Sequence, residues 1–252
     1  MTRSNERDDV GKALQAAVRE GALEAARAAL AAGADPDGRD EVGWTPLQWA
    51  ARQGAADIGL LLLDHGADPQ VADSTGRVAL HQAASSGTAE LVEALLRRGV
   101  DPCPQDLHGM TPLHTAAGHA QVEALRILLA HGVDASPRDL YGATPLHLAA
   151  GNADPVTVEL LLEYGADPNA RDAFGWTPLH VAAASRFGQD PVKALLGAGA
   201  DPGARTAEMA QGRDGRPQAA LSALELAERA NDAGSLAVLR ASDCTRTGDR
   251  AE

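Results

Sequence analysis

The chain has 252 residues, 44% hydrophobic but only 3% aromatic, so Ala, Leu and Val must form its core, small side chains that suit closely packed helices. Its 35 acidic residues against 22 basic ones leave a formal charge of −13. That argues against nucleic acid or an anionic membrane as partner, and it either favours a cationic protein surface or keeps a monomer soluble.

Cys103 and Cys244 lie far apart without metal-ligand spacing, so neither a disulfide framework nor a metal or cofactor is implied. The start has no apolar signal core, and no apolar run reaches the roughly 18 residues of a membrane helix. The chain therefore reads as soluble and cytoplasmic. All its basic residues except Lys12 and Lys193 are arginine, a bias common in GC-rich bacterial genomes.

Residues 1–9 read as a flexible N-terminus, and 10–39 as a first helix pair with Leu14 and Gly21 but no Thr-Pro. Residues 40–72 then set a pattern that recurs every 33 residues. Asp40-Glu-Val-Gly43 is a turn, Thr45 caps a helix with Pro46 at its first position, and Leu47, Ala50 and Ala51 form the apolar stripe. A second helix carries Ile58, Leu61, Leu62 and Leu63, ends at Gly66, and is followed by Ala67-Asp68-Pro69.

The same signals fill 73–105, 106–138 and 139–171. Residues 172–219 stretch the period, since Thr177 to Ser222 spans 45 residues, with one extra residue between the helices and about eleven around Gly203 to Gln218. Residues 220–241 make a last pair, with Ser222-Ala-Leu-Glu225 in place of Thr-Pro-Leu-His, and 242–252 read as a disordered tail. Val78 lacks a capping hydroxyl, and Gly59 sits within a helix, each costing about 1 kcal/mol. Asp154-Pro155 and Asp190-Pro191 read as helix starts. Helices this short are marginal alone and must bury their stripes against neighbours.

Gly-x-Thr-Pro-Leu-His-x-Ala-Ala followed by Leu-Leu-x-x-Gly-Ala-Asp closely resembles the ankyrin repeat, over roughly residues 10–240. The resemblance implies an all-α solenoid of antiparallel helix pairs with projecting hairpin-like loops, five full repeats between two caps, and a non-catalytic protein-binding role. It also implies that His81, His114, His147 and His180 bond to the cap threonine and loop backbone. Spaced one repeat apart, roughly 8–10 Å, these histidines cannot share one metal ion. Asp35, Asp68, Asp101, Asp134, Asp167 and Asp201 follow helix-ending glycines and read as turn residues. His108 and His119 make at most a weak metal pair, and no nucleophile elbow, phosphate loop or metalloprotease motif appears, so no enzyme is expected.

The scarce aromatics are more telling. Trp44, Tyr141, Phe174 and Trp176 lie at loop tips beside Val42, Leu107, His108, Met110 and Leu140, positions that in ankyrin-like stacks line the concave partner groove. Folding gives little reason to place such residues there, whereas interfaces favour them. Packing of tip on tip is the competing reading. Arg39, Arg138 and Arg171 each precede a tip Asp and fit a polar rim or local ion pairs equally. Docking of a partner protein is therefore expected, the alternative being an inhibitor or immunity protein that blocks a basic enzyme or toxin.

Overall fold

The computed structural model describes residues 2–185, 188–208 and 219–248. Phe187, most of the loop insertion (209–218) and the last residues of the tail (249–252) lie outside them. The described residues are all-α, with fourteen helices, no strand, and one isolated antiparallel bridge between Arg205 and Ser222. They fall into two compact units, Met1–Ala116 with Glu123–Val133, and Ala117–Val122 with Asp134–Glu252.

In the first unit, α1 (Thr2–Arg19), α3 (Pro46–Gln53) and α5 (Ala79–Ser86) are the first helices of successive repeats. Helices α2 (Leu23–Ala31), α4 (Ala56–Asp64) and α6 (Ala89–Arg97) are the second ones. First helices pack on first helices and second on second, while each pair also packs internally. Helices α7 (Pro112–Gly118) and α8 (Val122–Ala130) contribute residues to both units. The second unit repeats the scheme with α9 (Pro145–Gly151), α11 (Pro178–Ala184) and α13 (Ala223–Ala230) against α10 (Pro155–Glu163), α12 (Gln189–Gly197) and α14 (Ala233–Gly248). This is the stacking of a helix-pair solenoid.

The core is the repeated stripe itself. Leu14, Leu47, Leu80, Leu113, Leu146 and Leu179 are all 0% exposed, as are the alanine pairs from Ala50-Ala51 to Ala182-Ala183. Thr45 caps α3, its hydroxyl accepting from the Gln48 N–H at 3.3 Å, and Asp154 caps α10 through the Thr157 N–H at 3.1 Å. At α5, Val78 offers no acceptor, and only the reciprocal bond survives, its own N–H donating to His81 Nδ1 at 3.3 Å. Gly66 takes the left-handed conformation (φ +86) that ends α4, where a side chain would be strained.

The structure departs from the sequence reading at several boundaries. Helix α1 starts at Thr2 rather than near residue 10. No proline interrupts this stretch, and its one glycine, Gly11, costs only about 1 kcal/mol. Helix α14 runs past 241 to Gly248. Asp190 does not cap α12, because the chain turns two residues earlier, at Gly188, and Asp190 falls within the first turn. Gly59 is also more than a weak point in α4. A Cβ there would lie 2.9 Å from both Leu91 methyls, so the glycine lets α4 approach α6 closely.

Candidate partner-binding surface

Each hairpin tip is a five-residue turn built around one aspartate. The Asp139 Oδ1 accepts the N–H groups of Tyr141 (2.9 Å) and Ala143 (2.8 Å), while the Gly142 N–H donates back to the Asp139 carbonyl at 2.9 Å. The Asp139 N–H closes the turn on the Ala143 carbonyl at 3.0 Å. Asp40, Asp73, Asp106 and Asp172 make the same set of bonds. The backbone groups that close the turn are thereby paired, and the two residues between Asp and Gly are exposed in every tip.

Successive tips are also joined through backbone. The Leu107 N–H donates to the Thr75 carbonyl at 2.9 Å in the first unit. In the second, the Ala173 N–H donates to Tyr141 at 2.7 Å and the Ala207 N–H to Phe174 at 2.9 Å. Tip-on-tip packing is therefore real, but it is carried by the main chain and leaves the side chains outside.

Behind the tips, the histidines are struts between repeats. His147 Nδ1 accepts the Thr144 N–H at 3.1 Å and its Nε2 faces the Trp176 carbonyl at 3.1 Å, so these partners require the tautomer protonated at Nε2. His81 reaches the Met110 carbonyl at 3.0 Å, and His180 reaches Ala204 and Leu221 at 3.0 and 3.2 Å. Burial pushes His81, His147 and His180 below the ordinary histidine value, overriding the carbonyls that favour the charged form. Gln48 does the same work in its repeat, its Oε1 accepting from the Thr45 N–H at 2.9 Å and its Nε2 donating to Val71 and Arg77. Glu225 accepts the Ser222 N–H at 2.7 Å in the last repeat.

The expected contact residues divide into two groups. Leu140 (72%), Leu107 (66%), Val42 (60%), Tyr141 (56%) and Phe174 (42%) are exposed, and so is His108. Trp44, Met110 and Trp176 are only half-buried, because they stand four residues after the tip Asp, where the chain turns inward to the helix start. Trp44 packs on Trp49 with ring centroids 4.9 Å apart, and the Trp49 indole donates to Asp40 at 2.7 Å. Arg19 pairs with Asp40 and lies 5.2 Å over the Trp49 ring. Burial works against the Asp40 charge, yet Trp44, Trp49, Arg19 and Val42 together hold its carboxyl below the usual range.

Arg39, Arg138 and Arg171, read as a polar rim or local ion pairs, form no ion pair among the described residues and brace the loop backbone instead. Arg39 donates to the carbonyls of Gly43 and Ala72, both at 3.0 Å, and Arg138 to those of Gly142 (3.2 Å) and Arg171 (2.8 Å). Arg171 donates to the Arg205 carbonyl. These braces were missed, although the recurrent Arg-Asp pair before a tip was the signal available. The six aspartates after the helix-ending glycines do serve as turn residues, Asp68 for instance accepting the Gln70 N–H at 2.9 Å.

Among the described residues no group of three or more His, Cys, Asp or Glu could hold a metal ion, and no helix is long and apolar enough to cross a membrane. An open cavity of about 870 Å³ lies beside α1, lined among others by Lys12, Gln15, Arg19, Asp35 and Glu41. Gln15 Oε1 is buried there without a partner. Gln15 stands one period before Gln48, but the residue that would supply its cap N–H, Lys12, lies inside α1.

A family model described as ankyrin repeats (3 copies) matches residues 3–73, 80–172 and 136–206. No curated protein matches the chain. Such repeats generally serve as non-catalytic modules of protein–protein interaction. The matches cover well over half of the sequence and agree with the strut, cap and turn chemistry above, and the chain belongs to the ankyrin repeat family.

Proposed function

We propose that the chain is a monomeric docking protein that holds a partner protein through the exposed side chains of its hairpin tips. The observation that carries this reading is the contrast, at every tip except Ser74-Thr75, between a turn closed by its own backbone and aspartate and large apolar side chains left in solvent. Leu140 at 72% and Tyr141 at 56% exposure leave most of their surface in solvent. Aromatic and aliphatic side chains grouped on a surface are the usual anchors of interfaces.

The test is affinity capture from the native host, with the wild type compared against Leu140→Ser/Tyr141→Ser/Phe174→Ser in the second unit and Val42→Ser/Leu107→Ser in the first. Anchors worth about 2 kcal/mol each would weaken capture at least 30-fold in one of the two variants while circular dichroism stays unchanged. Undiminished capture by both variants defeats the reading. A second reading, favoured by the charge of −13, is an inhibitor of one basic enzyme. It requires an association rate that falls steeply with salt.

A further inference from the structure

The tips of the second unit display charge as well as apolar surface, and the sign is opposite to that of the whole chain. Arg138 and Arg171 occupy the same register, one residue before Asp139 and Asp172. Both are exposed, and among the described residues neither has a carboxylate within ion-pair distance. Each is held instead by backbone carbonyls, Arg138 by Gly142 and Arg171, and Arg171 by Arg205. The guanidinium groups lie across the tip glycines. A Cβ on Gly142 would come within 3.3 Å of Arg138 Nη1, and one on Gly175 within 2.8 Å of Arg171 Nη2.

The carboxylates of these tips are less exposed than the arginines. Asp139 and Asp172 are half-buried, and one oxygen of each already accepts two backbone N–H groups. The outward edge therefore presents Leu140, Tyr141, Phe174 and two fixed guanidinium groups. An arginine has five N–H donors, of which the carbonyls occupy only one nitrogen here. Its rotamer entropy is already spent on the braces, so a carboxylate would gain a charge-assisted bond at little ordering cost.

The net charge of −13 does not override this. Charges more than about 8 Å away are largely screened at physiological salt, so contact chemistry is set by the groups at the edge. We propose that this edge selects an extended partner segment carrying Asp or Glu beside apolar side chains. The proposal rests on the tip-docking reading above. Arg138 and Arg171 lie one repeat apart, roughly 8–10 Å, which an extended segment covers in about three residues. The preferred pattern is thus acidic-x-x-acidic flanked by apolar residues.

Phage display of random peptides on the full chain tests this, each selected peptide being re-measured on Tyr141→Ser/Phe174→Ser. Peptides enriched in Asp or Glu at that spacing, and lost on the tip variant, support the proposal. Peptides lost on the tip variant but rich in Lys or Arg, or uncharged, overturn it and leave tip docking standing. Binders indifferent to the tip variant overturn both. For a selected peptide, Glu→Gln on the peptide itself should weaken binding about tenfold on the wild type and less than twofold on Arg138→Gln/Arg171→Gln. Equal losses on both proteins would also overturn it, and because the peptide is what changes, the fold of the arginine variant does not decide the result.

Discussion

His147 offers a direct test of the strut argument, because the chain contains its own control in Gln48. Replacing His147 by Ala leaves the buried Thr144 N–H unpaired and takes from the Trp176 carbonyl one of its two donors, the Asp172 N–H remaining. At about 1–3 kcal/mol for the orphaned N–H and about 1 kcal/mol for the carbonyl's lost bond, the expected loss is about 2–4 kcal/mol. His147→Gln should keep both bonds, since Gln48 makes the equivalent pair to the Thr45 N–H and the Arg77 carbonyl, both at 2.9 Å, and should stay within about 1 kcal/mol of the wild type at pH 7. The two variants also differ from the wild type in acid. Burial lowers the folded pKa of His147, so below about pH 6.5 the unfolded chain takes up a proton that the folded chain resists. The stability contributed by the neutral ring is complete above about pH 6.5 and is lost as the pH falls toward the folded value, and the same sign holds for His81 and His180. His147→Gln should remove one histidine's share of that loss. Urea unfolding at pH 7.5 and 5.5 measures both effects, with hydrogen exchange of the Thr144 amide as a local reading, because stacked repeats need not unfold in one step. A glutamine variant as unstable as the alanine one, or as acid-sensitive as the wild type, would refute the strut.

Gly59→Ala should destabilise the first unit by about 1 kcal/mol, since the helix propensity gained, about 1 kcal/mol, is outweighed by crowding against the fully buried Leu91, worth up to about 3 kcal/mol. In a Leu91→Ala background the same change should instead stabilise by about 1 kcal/mol, and a urea double-mutant cycle without coupling would dismiss the close approach. Gly188→Ala should cost about 3 kcal/mol or more, because its Cβ would sit 1.9 Å from the Ala182 carbonyl oxygen, a backbone atom with no freedom to move aside; unchanged thermal unfolding would contradict that. Asp154→Ala should cost about 1 kcal/mol through the lost cap on α10, read from urea midpoints, and a neutral result would mean that Pro155 alone starts the helix.

The fold was legible because each repeat writes its own instructions locally. Thr45-Pro46, Gly66 and the Leu47 stripe specify a helix pair without reference to distant sequence, and the 33-residue period then says what each pair packs against. Asp190-Pro191 misled because the chain already turns at Gly188, tight against the Ala182 carbonyl, and α12 begins before the Asp-Pro pair is reached. The candidate site was legible only to the level of the loop. Val42 and Trp44 look alike in sequence as apolar residues near a glycine, yet one is exposed and the other leans on Trp49. What separates them is their distance from the tip aspartate. Residues one and two after it keep their side chains exposed, while the fourth contributes both its N–H and its carbonyl to closing the turn and is half-buried where the tip is apolar. Counting from Asp rather than from the cap sorts every tip. It leaves Ser74 and Thr75 as the one polar pair among tips that otherwise carry Val42, Leu107, Leu140, Tyr141 and Phe174. Since the aspartate satisfies the turn whatever stands at those two positions, their chemistry is free of folding, and selection for a partner is the force left to act on it.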